Sequence, residues 1–326
     1  MEKELGNDGN KWFDSPALLK AVSSFREIAG TTLAKDKNVS SIAVIVSYRS
    51  FLYQKINDLS RDFLLNQMYH SLTMIGAPFD IYLDSDLSNK NFPFDKYKMY
   101  LFLNSFYLPD AERKLIREKI CGNGHTVVWL YGSGYVGDEN AQVDNISGLT
   151  GIKVSKYEGK LTRLNCVIDN YTHEITKGLP TYMRFGCERT LEPVFWVDDP
   201  EAQILGELSC TTNEGAVFTF RKPGLCMKRF KDWTSIWSGV PNLPSPLLRN
   251  IAKSAGVHIY SEGDDQVFAS ERVFSIHAGY DGVRKISFPR KTTIYDPFKK
   301  EYVARNVDKA EKFMKKGDTL FWLLSM

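Results

Sequence analysis

Apolar residues follow two rhythms along this chain. Between Ser41 and Gly132 they form short unbroken runs, SIAVIVS (41–47), FDIYL (79–83), YKMYLFLN (97–104) and HTVVWLYG (125–132). A run that is apolar at nearly every position suits a strand buried on both faces. The stretches between them predict helices. DLSRDFLLNQMYHSLTMIG sets Leu64, Met68, Leu72 and Ile75 at helical spacing and stops at Gly76, and DAERKLIREKICGNG also closes on glycine. SPALLKAVSSFREIAG opens the pattern with Ser15 as N-cap and Pro16 in the first turn. Strands alternating with helices predict right-handed crossovers and a doubly wound, mostly parallel α/β sheet. In such a sheet ligands bind beyond the C-terminal strand ends, here Ser47 to Ser50, Asn104 to Phe106 and Tyr131 to Gly134.

From about Leu161 the rhythm shortens to LNCVID, PVFWV, QILGEL and GAVFTFRK, punctuated by Gly and Pro, before one more helix, SPLLRNIAKSAG. Beyond it VHIYS, QVFASERVFSIHAG, RKISFP, TTIYDPF and TLFWLL predict a small antiparallel sandwich with hardly any helix. The organisation expected is an N-terminal helix and linker over 1–38, an α/β domain over 39–256 and a β domain over 257–326. No internal repeat or low-complexity tract is present.

Composition narrows the classes. With 326 residues, 43% hydrophobic and 13% aromatic, the chain has enough apolar surface for two cores. Its 42 basic and 39 acidic residues leave a formal charge of only +3, spread without an aromatic-interleaved stripe, which argues against nucleic acid as a partner. The five cysteines form no CxxC pair, so neither a disulfide framework nor a zinc site is expected, and no metal or other cofactor is implied. The opening MEKELGNDGNKWFDS has no apolar core and no later run reaches a membrane span; the expectation is a soluble chain, cytoplasmic by default.

The sharpest chemical candidate is TVVWLYGSGYVG, a strand running into a glycine-rich turn. GSGYVG satisfies part of a dinucleotide fingerprint, but it follows the fourth strand rather than the first, and the DENAQVDNISGLTG beyond it reads as turn. Ser133 as a nucleophile would need a G-x-S-x-G frame and a base. The first glycine of that frame is absent. Of the histidines, His70 falls in a helix, His125 before a strand, His258 and His277 in the β tail, and only His173, in YTHEITKGLP, reads as loop. Asp84/Asp86, Asp198/Asp199 and Asp264/Asp265 could each supply half of a glycosidase pair, whose carboxyls stand roughly 5–10 Å apart, but near-adjacent aspartates on turns more often cap.

Several phrases carry a family resemblance. At RSFLYQKIND, MIGAPFDIYLDSDL, YKMYLFLNSFYL and VVWLYGSGYVG the first domain resembles the class I glutamine amidotransferase-like superfamily, with its flavodoxin-like sheet. More narrowly, it is similar to the trimerisation domain that follows the catalytic barrel of family 42-type β-galactosidases. HEITKGLP resembles the HPIT-x-GL turn of amidotransferase-like proteins linked to sugar use. The tail LLRNIAKSAGVHIYSEGDDQVFASERVFSIHAG resembles the small β domain closing such glycosidases, and WFDSPALLKAVSSFREIAG their exit from the barrel. The resemblance implies that Tyr131 stands where a catalytic amidotransferase carries its cysteine. A phenol with an ordinary pKa near 10 is a poor substitute for a thiolate. The glycosidase barrel is not in these residues.

Three expectations follow. The first is a non-catalytic accessory or assembly module of a β-galactosidase-like glycoside hydrolase, either the C-terminal part of a longer polypeptide with a barrel upstream or a free-standing relative, forming a homo-oligomer (trimer or dimer) and shaping a sugar cleft. Aromatic residues available for such contacts are Phe51, Tyr53, Phe106, Tyr107, Tyr131, Tyr135, Trp233 and Trp237, with core packing as their alternative role. The second is a small-molecule or carbohydrate enzyme binding its ligand with Arg49, Asn104, Tyr131 and Ser133. The third is a sugar-binding module in which the indoles of WTSIW, Trp233 and Trp237, stack on rings.

Overall fold

The computed structural model describes residues 15–32, 36–53, 61–159, 161–211 and 219–325. The polar opening, the end of RSFLYQKIND and the start of GAVFTFRK lie outside them. The chain divides into two compact units, one of residues 40–267 and one of the residues up to Val39 with Phe268 onward. Among the described residues, no helix is long and apolar enough to cross a membrane.

In the larger unit the four apolar runs become strands β1 (Ile42–Val46), β2 (Asp80–Leu83), β3 (Met99–Phe102) and β4 (Thr126–Leu130). Ile42 to Ile45, Met99 to Phe102 and Val127 to Trp129 are fully buried, which is why these segments are apolar without alternation. After β4 the chain makes β5 (Val154–Tyr157), β6 (Leu161–Thr162), β7 (Asn165–Ile168), β8 (Arg184–Gly186), β9 (Thr190–Leu191), β10 (Val194–Val197), β11 (Gln203–Thr211), β12 (Thr219–Arg229) and β13 (Thr234–Ser238). Nine strands form one sheet in the order β2-β1-β3-β4-β13-β12-β11-β7-β8, with β5 and β10, and β6 and β9, as separate ribbons. The first five pair in parallel and the rest antiparallel. The short β-like segments after Leu161 thus extend the sheet. Their side chains still join the same core, as Cys166, Leu208, Cys226 and Ile236 show.

Helices are fewer and shorter than the periodicity predicts. α1 (Pro16–Thr32) belongs to the other unit. The helix expected before Gly76 is broken into a wide turn at Arg61–Asn66, a single α turn α2 (Gln67–His70) and a tight turn at Leu72–Met74. Gln67 accounts for part of the irregularity: it is buried, donating to Leu243 O (2.9 Å) and accepting from Leu243 N (2.8 Å). Gly76 is more than a cap. It has φ +83°, and a Cβ there would lie 1.8 Å from Ser261 O. α3 (Asp110–Lys119) forms as expected, with acidic Asp110 and Glu112 in its first turn and Arg117 and Lys119 in its last, matching the helix dipole. The DENAQVDNISGLTG segment, expected as turn, contains α4 (Val143–Thr150), whose Ile146 and Leu149 are buried. Its Asp, Asn and Gly content hides the helix, and packing overrides the weak propensity. α5 (Ser245–Ser254) matches its prediction, with Pro in its first turn.

The smaller unit begins at Phe268, within β14 (Gln266–Ala269), and holds β15 (Val273–His277), β16 (Gly282–Asp296), β17 (Glu301–Met314) and β18 (Thr319–Ser325); the five strands form one sheet of order β14-β15-β18-β16-β17. It is a single antiparallel sheet rather than the expected sandwich. RKISFP and TTIYDPF are parts of one bent strand, β16, while VHIYS forms no strand. β17 was not foreseen, because EYVARNVDKAEKFM is charged throughout and almost entirely exposed. In place of a second sheet, α1 sets Phe25 edge-on against Phe298 (5.2 Å) and Phe321 (5.4 Å).

Candidate functional site

The glycine turn after β4 is built as a strained elbow. Tyr131 has φ +55°, a left-handed conformation that costs a non-glycine residue about 1–2 kcal/mol. Two hydrogen bonds hold it there: Tyr131 N donates to Ser238 O (2.6 Å) and Trp237 Nε1 donates to Tyr131 O (2.9 Å). Gly132 follows because a Cβ would meet the Phe195 ring at 2.8 Å and the Phe106 ring at 3.0 Å. The backbone therefore turns sharply after β4.

Here the turn exposes nothing. Tyr131 is buried, with its ring against Phe63 (5.6 Å), Phe106 (5.9 Å) and Phe195 (5.3 Å). Its hydroxyl donates to the carbonyl of Pro193. Burial pushes the phenol pKa well above its ordinary value, so no phenolate is available at neutral pH. Ser133 is also buried and its Oγ donates to Leu130 O (2.8 Å). Among the described residues no histidine bonds either hydroxyl. Asn104, at the end of β3, is committed too: Oδ1 accepts from Ser47 N (2.8 Å) and Nδ2 donates to Ser47 O (2.8 Å). It joins the ends of β1 and β3 much as another pair of backbone groups would.

Arg49 sits apart from that aromatic plug. It follows β1 and its guanidinium bonds the Glu112 carboxylate on α3 and lies 3.2 Å from Asp84 Oδ2. Asp84 is fully buried. Burial raises the Glu112 pKa, and the hydrogen bond from Arg49 only partly offsets it. Two carboxylates around one guanidinium leave a local negative charge, and Arg49 Nε, Asp84 Oδ2 and Glu112 Oε2 are buried without a hydrogen bond. Beside this cluster Tyr107 stacks on Tyr53 (4.5 Å) and donates to Asp138 Oδ1 (2.8 Å). Sequence spacing could not have paired Arg49 with Glu112, 63 positions away. Arg49 is thus not brought together with Tyr131 and Ser133 by any shared bond.

The other candidates resolve into structure. Trp233 and Trp237 are both buried, so they present no face to a sugar. Trp233 stacks on Phe230 (4.5 Å). Tyr135 is buried as well, whereas Phe51 and Tyr53 are exposed. Asp199 accepts from Lys153 N, Glu201 N and Lys228 Nζ, and Asp86 accepts from Leu83 N, as capping aspartates do. Asp264 pairs with Arg249 (2.8 Å). His125 bonds Ile120 O, His173 bonds Gln203 Oε1 and His277 bonds Thr319 Oγ1. All five cysteines are free, and burial drives the Cys187 thiol up to about 12. Among the described residues no group of three or more His, Cys, Asp or Glu could hold a metal ion.

No family model and no curated protein sequence matches this chain. Its fold has clear counterparts among solved structures. A β-galactosidase from Bacillus circulans sp. alkalophilus superposes with a TM-score of 0.67 at 13% identity, over 98% of this chain and 46% of that one. A GH42 β-galactosidase from G. stearothermophilus gives 0.60 at 12% over 95% and 43%. One from the haloarchaeon Halorubrum lacusprofundi gives 0.54 at 13% over 87% and 39%. The chain therefore spans less than half the length of these structures. At such identities the likeness is one of fold.

Proposed function

We propose that this chain is a non-catalytic accessory module of a β-galactosidase-like glycoside hydrolase and works through assembly rather than chemistry. The observation that carries the reading is the filled elbow. The turn after β4 is sharp and holds a buried tyrosine among three aromatic neighbours, where on this reading a catalytic superfamily carries its nucleophile. On this reading the large unit is glutamine amidotransferase-like and Tyr131 stands in the cysteine position. A carbohydrate-related role is supported by the fold shared with β-galactosidases over nearly all of the chain.

The surface supports assembly. β2 is a terminal strand of its sheet and exposes Ile81 and Leu83. Tyr48, Phe51, Leu52 and Tyr53 are exposed on the turn whose Arg49 reaches the residue following Leu83. Exposed apolar residues beside a strand that is terminal in its sheet among the described residues are a site for another chain. We expect a dimer or trimer in solution.

Light scattering across a dilution series tests this. A stable oligomer that Leu52→Asp or Leu83→Asp dissociates supports the reading. A monomer at every concentration overturns self-assembly by this chain, and directs sugar screening to Arg49, which unlike the buried Asn104, Tyr131 and Ser133 is partly exposed.

A further inference from the structure

A second site is shaped in the smaller unit, from residues that the sequence analysis did not single out. A cavity of about 750 Å³ opens there. Its polar walls are Glu271 and Arg272 at the start of β15, Arg290 and Tyr295 on β16, Lys300 in the hairpin, and Tyr302 on β17. Three cations thus face one carboxylate, and that carboxylate is already engaged, with Glu271 Oε1 3.3 Å from Arg290 Nη2. The surplus is regional. Between Gly282 and Asp318 lie eleven basic and five acidic residues, against a whole-chain charge of +3. Basic residues are therefore concentrated on this hairpin, not spread evenly as the composition suggests.

The aromatic groups add shape. Tyr295 and Tyr302 are cross-strand partners with ring centroids 5.2 Å apart and planes at 63°. The Arg305 guanidinium lies 3.8 Å from the centre of the Tyr302 ring. Tyr302 is nevertheless 56% exposed, an open ring surface beside the cations. The pairing of β16 with β17 shifts register between Ser287 and Tyr295. Such irregularities re-aim side chains, and here they fall between the two cavity residues of β16 or next to them.

We infer that this cavity binds a short acidic oligosaccharide, a saccharide carrying carboxylates. Guanidinium forks match carboxylate geometry in a bidentate fashion, and among the described residues lining the cavity Glu271 is the one acid beside two arginines and a lysine. Tyrosines supply flat, amphipathic faces for the C–H sides of sugar rings together with hydroxyls for their polar rims. The volume falls in the range of roughly 300–1,000 Å³ typical of small-ligand sites, room for a few rings and far more than one inorganic anion needs. The inference stands on this unit alone and is independent of the assembly reading.

Calorimetric titration of the full chain with trigalacturonate, and with neutral galactotriose as control, tests it. Trigalacturonate is expected to bind at least ten-fold more tightly than the neutral trisaccharide, and 0.5 M salt should weaken it. Arg290→Gln, Arg272→Gln and Tyr302→Ala should each weaken binding at least five-fold, while Phe313→Ala, exposed on the same hairpin outside the cavity, should leave it unchanged. Three separate variants keep the test sound if one misfolds. The inference is overturned if trigalacturonate fails to bind or binds no better than galactotriose. It is overturned equally if phosphate alone matches its affinity, if Tyr302→Ala is silent, or if oligothymidylate binds more tightly.

Discussion

Tyr131 offers the most direct test of a filled elbow. Tyr131→Phe removes only the hydroxyl that donates to Pro193 O and leaves the ring in place. A net hydrogen bond is worth about 1 kcal/mol, and an orphaned carbonyl adds to the loss, so about 1.5 kcal/mol is expected. Tyr131→Ala also removes a ring packed on Phe63, Phe106 and Phe195, a loss of about 3–5 kcal/mol by analogy with other buried aromatic truncations. The φ of +55° costs alanine what it costs tyrosine, so it cancels between the two states. Urea unfolding followed by tryptophan fluorescence reads both, since Trp129 and Trp237 are fully buried in the same unit. At a slope of about 3 kcal/mol/M the midpoints should fall by about 0.5 M for Phe and about 1–1.7 M for Ala. Tyr131→Cys should release no ammonia from glutamine, because no histidine bonds this position. A Tyr131→Ala variant as stable as the parent, or glutaminase activity in Tyr131→Cys, would refute the idea that the elbow is a structural plug.

Other perturbations separate the supports of the larger unit. Gly76→Ala should cost about 3 kcal/mol, from left-handed strain, the 1.8 Å clash with Ser261 O and loss of the Tyr260 N to Gly76 O bond (2.7 Å), and should lower the melting temperature by about 6–12 °C. Arg249 is buried and donates to Met74 O (2.7 Å), Ile75 O (3.1 Å) and Gly263 O (3.1 Å), so Arg249→Met should lose about 3 kcal/mol in urea unfolding by stranding those carbonyls. Asp199 gives a pH signature. Burial raises its carboxyl, but bonds from Lys228, Lys153 N and Glu201 N outweigh that and hold it below the usual value. A depressed pKa contributes stability that is present above the unfolded value, near 3.8, and is lost as pH falls through the folded one. The stability gap between the parent and Asp199→Asn should therefore be full at pH 6 and shrink once the pH falls below the unfolded value of 3.8. A gap constant with pH would show that the charge is not what matters.

The parts of the fold that were legible share one property: their side chains answer to a single local rule. β1, β3 and β4 are buried on both faces, so their apolar runs name them, and α5 carries Ser245 and Pro246 where a helix should begin. β17 was hidden because a strand exposed along nearly its whole length need not alternate. α4 was hidden because packing of Ile146 and Leu149 outweighs the poor propensity around them. At the site, the strand ends were located correctly in outline but their chemistry was not. Asn104 and Ser133 look like ligand groups in sequence, yet each spends its polar atoms on backbone nearby in space. The Arg49–Asp84–Glu112 cluster depends on meetings between distant segments that no spacing rule encodes.

β17 also bears on how this protein can be altered. It is fourteen residues long, terminal in its sheet, and carries Glu301, Arg305, Asp308, Lys309, Glu311 and Lys312 along an otherwise open backbone edge. Those six side chains are three acids and three bases, so the edge carries no excess charge of one sign; what deters strand-to-strand growth is that a pairing strand would have to strip water from each of them. Replacing them with apolar residues would remove that cost and turn fourteen residues of edge into a template for stacking one copy on the next.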